Sequence, residues 1–113
     1  MKLLLISDSP LLMDQVETET ATRMPTVRVI GKCYTLREGI RAAQALLPDV
    51  VLLDGDMDGI ARLGALGGLK TEGGRLIVLV SKGTPRSLGK AIVMHILEKP
   101  LDVEVFVELI DSS

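Results

Sequence analysis

The sequence reads as an α/β domain: a doubly wound parallel sheet of five strands with helices on both faces. Three short apolar runs, residues 3–6, 50–53 and 76–80, each end at a small or acidic residue, the composition of strands buried on both sides. Between them lie stretches with helical spacing, so strand and helix alternate along the chain. The connections are short, and right-handed crossovers then restrict the topology to a doubly wound sheet. In such a sheet the ligand site lies at the carboxyl ends of the strands.

Residues 3–6 form the first strand. Ser9-Pro10 starts the first helix, residues 10–21, whose apolar pattern is Leu11, Leu12 and Val16, with Glu19. Residues 27–30 are the second strand. The second helix covers residues 35–47, with Leu36, Ile40, Ala43 and Leu47 on one face. Thr35 and Glu38 form a capping box at its start and Pro48 ends it. The third strand is residues 50–53. A third helix, residues 60–69, has Leu63, Leu66 and Leu69 in helical spacing, weakened by Gly64, Gly67 and Gly68 within the glycine-rich stretch 64–74. The fourth strand, residues 76–80, is followed by a short helix over 85–92, a fifth strand over 93–97 and a short last helix over 102–110. That last helix places Val103, Phe106, Val107 and Ile110 on one face.

At 113 residues the chain has room for one domain. Thirteen Lys and Arg against fifteen Asp and Glu leave a net charge of -2, without the basic excess of a nucleic-acid-binding domain. Tyr34 and Phe106 are the only aromatics, so there is no base-stacking platform. Cys33 is the single cysteine, which excludes an intrachain disulfide. No apolar run has the length of a membrane span, and the opening Met1 to Ile6 is too short for a signal-peptide core. The expected location is cytoplasmic, with neither membrane nor nucleic acid as a direct partner.

The strand ends carry the chemistry. They read Ser7-Asp8-Ser9, Asp54-Gly55-Asp56, Ser81-Lys82 and Glu98-Lys99-Pro100. In a parallel sheet they converge on one rim. Crowded carboxylates raise each other's pKa unless a cation joins them, and a hard ion such as magnesium suits carboxylate oxygens. A phosphoryl group at the same point would need the metal, a lysine and a hydroxyl for its oxygens, and Asp54 on the middle strand is placed to be the nucleophile. Taken singly, Asp8 reads as a helix cap, Asp54 as a turn residue, Ser81 as a loop hydroxyl and Lys99 as a surface lysine. Taken together, four strand ends deliver matched chemistry.

These residues resemble the receiver domain of two-component response regulators. The resemblance rests on Leu-Leu-Leu-Ile-Ser7-Asp8-Ser9-Pro10, on Pro48-Asp49-Val50-Val51-Leu52-Leu53-Asp54, on Ser81 after the fourth strand and on Lys99-Pro100 after the fifth, with residues 27–31 similar to the family's second strand. It implies a flavodoxin-like fold with strand order 2-1-3-4-5 and five strand–helix units. It implies Asp54 as phosphoacceptor, magnesium on Asp8, Asp54 and the backbone carbonyl of Asp56, and Ser81 and Lys99 on the phosphoryl group. A histidine kinase or phosphotransfer protein would be the donor, and a C-terminal output domain or another protein the recipient of the signal. Residues 1–113 are then expected to be a single receiver-like domain at the N-terminal end of a longer protein. Catalysis would be limited to self-phosphorylation from a phosphohistidine donor and autodephosphorylation.

The chain departs from the family pattern in ways that define it as an atypical member. Ser7 stands where the first of two acids is usual, which is expected to weaken magnesium binding, an effect the Asp56 carboxylate would offset in part. About three residues are missing after the phosphoacceptor, before Met57-Asp58-Gly59, in the loop that shapes access for the donor, and about four more between Ser81 and Lys99, compressing helix four and the loop before strand five; helices three to five are expected to be shortened. Ile96 replaces the aromatic that reports phosphorylation, and Lys82 the small residue after the hydroxyl. The alternative is therefore a phosphate-independent pseudo-receiver, an interaction or localisation module of the kind found ahead of ParA/MinD-type ATPases. Receivers often pair through the face formed by helix four, strand five and helix five, to which Ile92, Val93, Val105 and Leu109 would contribute.

Other motifs weigh less. Asp54 to Gly59 matches the start of an EF-hand loop, but Ala65 stands where the bidentate glutamate belongs. Asp54-Gly55-Asp56 is similar to the paired aspartates of haloacid-dehalogenase phosphatases, without the residue that follows them. A flavin site would need a phosphate loop and aromatics that are missing. His95 reads as structural, Cys33 as a semi-buried residue following the second strand, Met13 and Met94 as core or interface fillers, and Arg37 with Arg41 as a solvated helix face.

Overall fold

The five strands are β1 (Lys2–Ile6), β2 (Arg28–Cys33), β3 (Val50–Asp54), β4 (Arg75–Val80) and β5 (His95–Glu98). In the computed structural model, which describes residues 1–57, 74–81 and 95–111, they form one sheet in the order β2-β1-β3-β4-β5 with every pairing parallel. The described helices are α1 (Pro10–Arg23), α2 (Leu36–Leu46) and α3 (Val103–Asp111), the last being the fifth helix expected from the sequence. This is the flavodoxin-like arrangement. The expected third and fourth helices, the glycine-rich stretch beyond Met57, Lys82, Ile92, Val93 and Met94 lie outside the described residues.

Period-two alternation explains why the central strands are apolar throughout. Leu3, Leu5, Val50, Leu52, Ile77 and Leu79 pack with Met13, Val16, Phe106 and Ile110, the layer of α1 and α3. Leu4, Ile6, Val51, Leu53, Val78 and Val80 face the other way, onto Ala43, Leu36 and Ile40 of α2. Both faces of β1, β3 and β4 are covered, so each large side chain contributes about 1.5–3 kcal/mol of burial. The edge strands β2 and β5 are only partly buried.

Several boundaries move from the expected ones. β2 runs three residues further than residue 30, because its ladder with β1 continues to the Ile6–Cys33 pair. Cys33 is therefore the last residue of that strand and buried, rather than semi-buried beyond it, and burial pushes its thiol pKa up. Ser9, not Asp8, caps α1: its Oγ accepts the Leu12 N–H at 3.3 Å. That start sets the helix phase, which buries Met13, Val16 and Thr20 and leaves Leu11 78% exposed. Thr20 is satisfied by donating to the Val16 carbonyl at 2.9 Å. Thr35 Oγ1 caps α2 by accepting the Glu38 N–H at 3.1 Å, while Glu38 Oε1 accepts from the Thr35 hydroxyl at 3.2 Å. Leu47, in the left-handed region at φ 48, ends α2 before Pro48 and is 61% exposed rather than part of the core face. His95, Arg37 and Arg41 are exposed. Val105 is exposed on α3, whereas Leu109 packs against the core. No helix among the described residues is long and apolar enough to cross a membrane.

Candidate functional site

The order of strands reverses at β1, whose neighbours are β2 on one side and β3 on the other. A crevice opens at such a switch point, and the strand-end residues gather there. Asp54 is the last residue of β3 and 4% exposed. Parallel register pairs Ile6 with Leu53, so Ser7 and Asp54 emerge side by side. The Ser7 N–H stays on the β2 ladder, donating to the Cys33 carbonyl at 2.9 Å, and this fixes the backbone that carries the hydroxyl.

Ser7 is itself buried. Its Oγ donates to Asp54 Oδ2 at 2.8 Å and accepts the Ser9 N–H at 3.0 Å. Asp54 Oδ1 accepts the Asp56 N–H at 3.0 Å and the Lys99 ammonium at 2.9 Å. The Lys99 ammonium also lies 3.0 Å from Asp56 Oδ2. Asp56 Oδ2 accepts the Ser81 hydroxyl at 2.7 Å, and Asp56 Oδ1 the Ser81 N–H at 3.3 Å. Lys99 is held in reach because its own N–H continues the sheet ladder, donating to the Val80 carbonyl at 2.7 Å; the Lys99–Pro100 peptide is cis. Gly55 brings the Asp54–Asp56 turn against β4: its N–H donates to the Leu79 carbonyl at 2.7 Å, and an added Cβ would stand 2.8 Å from Cγ1 of both Val78 and Val80.

One ammonium is shared by two carboxylates, so the positive charge offsets the negative ones in part. Hydrogen bonding by Ser81, aided by Lys99, holds the Asp56 carboxyl below the usual range despite partial burial. Burial works against the Lys99 charge, but its bonds to Asp54 and Asp56 outweigh that and raise its pKa. No buried side-chain nitrogen or oxygen among the described residues lacks a hydrogen-bond partner. A groove of about 480 Å³ opens beside the cluster, lined by Ser9, Leu11, Gln15, Ser81, Lys99 and Leu101 among others.

Asp54, Asp56, Ser81 and Lys99 are thus brought together. Asp8 is not: it is exposed, and among the described residues it makes no hydrogen bond or ion pair. Nor does any group of three His, Cys, Asp or Glu among the described residues stand close enough to hold a metal. Asp49, the other acid of the motif around β3, sits at the opposite rim, where its Oδ2 accepts the Lys2 N–H at 2.7 Å. Two participants go beyond the sequence reading. Ser7 is a working part of the cluster rather than only a missing acid, and the Asp56 carboxylate, expected at the rim as a partial substitute for that acid, is instead bonded to Ser81 and Lys99. Equal-length apolar runs ending at Ser7 and Asp54 were the signal available for the first; nothing in the sequence fixes where the Asp56 side chain points.

No protein-family model matches the chain. Over 78 residues, 67% of the chain, it is 36% identical to the nitrate/nitrite response regulator protein NarL of Escherichia coli K12. That match takes in 36% of the relative, so the chain spans about a third of the length of the curated relatives it matches. Among solved structures it is similar to the isolated receiver domain of RcsB from Salmonella enterica serovar Typhimurium with phosphomimetic beryllofluoride (TM-score 0.80, 17% identity, covering 100% of this chain and 90% of that one). It is also similar to the signal receiver domain of NarL from Mycobacterium tuberculosis (TM-score 0.75, 20% identity, 98% and 94%). A third is the response regulator domain of CheB from Thermotoga maritima (TM-score 0.71, 24% identity, 99% and 92%).

Proposed function

We propose that this chain, whose fold is that of a response-regulator receiver domain, accepts a phosphoryl group on Asp54 and alters its protein contacts in response. The observation that carries the reading is the Lys99 ammonium 2.9 Å from the buried Asp54 carboxylate at the switch point of the sheet. A lysine there neutralises charge as it builds on transferred oxygens. Among the described residues Asp54 Oδ1 accepts two hydrogen bonds and Oδ2 one. Oδ2 therefore keeps a lone pair for attack on phosphorus. The P–N bond of a phosphohistidine donor breaks as the O–P bond forms, and the departing imidazole takes up a proton. The groove between Ser9, Leu11 and Lys99 gives the donor its approach.

Magnesium would offset phosphoryl charge, held by Asp8, Asp54 and the Asp56 backbone carbonyl. These are hard oxygen donors of the kind that ion takes, with water filling its remaining positions. With Ser7 in place of a second acid, binding is weak. A histidine kinase or phosphotransfer protein supplies the phosphoryl group in the cytoplasm, and an output domain or separate protein reads the change.

One observation favours a second reading. Ser7 Oγ satisfies Asp54 Oδ2 at 2.8 Å, so the pocket is complete without ligand. A phosphate-independent docking module would keep such a pocket. Incubation with a small acyl phosphate and magnesium, followed by intact mass measurement, separates the two. The receiver reading expects one added phosphoryl group, absent in Asp54→Asn and released by hydroxylamine. An unchanged mass favours the docking module.

A further inference from the structure

The Asp56 carboxylate makes the contacts that a phosphoryl group would need. Its two oxygens take an ammonium, a hydroxyl and a backbone N–H: Lys99 at 3.0 Å, the Ser81 hydroxyl at 2.7 Å and the Ser81 N–H at 3.3 Å. Charge-assisted donors of these kinds are also what phosphoryl oxygens bind. The turn does not need the carboxylate for its shape. It is held by the Gly55 N–H on Leu79, the Met57 N–H on Asp54 and the burial of Met57. Asp56 itself is a third exposed.

We propose that the Asp56 carboxylate is an internal stand-in for the phosphoryl group: it occupies Lys99 and Ser81 in the unmodified protein and is displaced from them when Asp54 is loaded. This rests on the reading of Asp54 as the acceptor and adds how that site is regulated. The stand-in has two consequences. Ser81 is already drawn toward the cluster before loading, so its position differs little between the two states. Loading is also weakened, because Lys99 and Ser81 must exchange one anion for another, and the displaced carboxylate is left beside a second negative group. The lowered Asp56 pKa and raised Lys99 pKa agree with a carboxylate engaged before any ligand arrives.

The test compares the wild-type chain with Asp56→Asn and Asp56→Ala, which keep the backbone carbonyl, by NMR titration with beryllofluoride in excess magnesium. Both variants are expected to bind about tenfold more tightly, the scale of one charge-assisted hydrogen bond no longer broken on binding. Before any beryllofluoride is added, their Ser81 amide signals are expected to have moved from the wild-type position by more than those of amides equally close to Asp56 but not bonded to it. Saturable wild-type binding with equal or weaker binding by both variants overturns the stand-in and leaves the acceptor reading intact. Absence of binding in all three proteins overturns the acceptor reading and the stand-in with it.

Discussion

Ser7 and Asp54 show how one side chain sets the character of a pocket. A buried carboxylate needs donors or a cation, and here a hydroxyl 2.8 Å from Oδ2 takes the side where a second acid would call for a metal. Ser7→Asp reverses that choice. Two carboxylates then face each other in a site only a few per cent exposed, so the variant is expected to melt below wild type in chelator and to recover in millimolar magnesium. A melting temperature indifferent to magnesium would count against the assignment of the ion to Asp8 and Asp54. Asp56 gives a pH signature. Its folded pKa lies below the ordinary 3.8, so its contribution to stability is complete above that value and is lost as pH falls through the lowered one. The stability difference between wild type and Asp56→Asn, measured by urea unfolding, is expected to be constant through neutral pH and to shrink below 3.8. A difference that instead grew in acid would contradict the bonding of Asp56 to Ser81 and Lys99.

At the scale of elements, the turn after β3 matters most, because it joins the core to the site. Gly55 lies where a methyl group would meet Val78 and Val80 at 2.8 Å, and its N–H is tied to Leu79, so the backbone cannot back away. Gly55→Ala is expected to cost about 1–3 kcal/mol, as overpacking does, and to loosen the Asp54–Lys99 pair. Denaturant unfolding reads the first, and the Lys99 side-chain NMR signal the second. The helices illustrate what periodicity reads and what it misses. α3 carries Phe106 and Ile110 inward as its pattern implies, since Phe106 and Ile110 are fully buried. α1 does not bury Leu11, because the Ser9 cap, a local hydrogen bond rather than a hydropathy signal, fixes the phase of the helix. The extension of β2 to Cys33 was hidden for a related reason: an edge strand with one partner carries Gly31 and Lys32 without loss, and they blur its apolar run.

At the scale of the whole molecule, the sheet was legible because both faces of β1, β3 and β4 are covered. Such strands must be apolar at every position, and that is the strongest pattern a short strand can write. The order β2-β1-β3-β4-β5 came from resemblance rather than periodicity, and the structure bears it out. Convergence of the strand ends followed from parallel pairing, which is why Asp54, Ser81 and Lys99 were found together. The direction of each side chain at the rim did not follow, since Asp8 and Asp56 occupy similar loop positions and only Asp56 turns inward. The proposed function requires that this rim accept a phosphoryl group on Asp54. A magnesium-dependent beryllofluoride titration, followed by amide NMR with Asp54→Asn as control, tests it most directly. Phosphoryl acceptance on Asp54 predicts saturable shifts around Asp8, Asp54, Ser81 and Lys99 that vanish in the control. Spectra unchanged at millimolar magnesium and beryllofluoride would contradict it and assign the pocket to a phosphate-independent docking module.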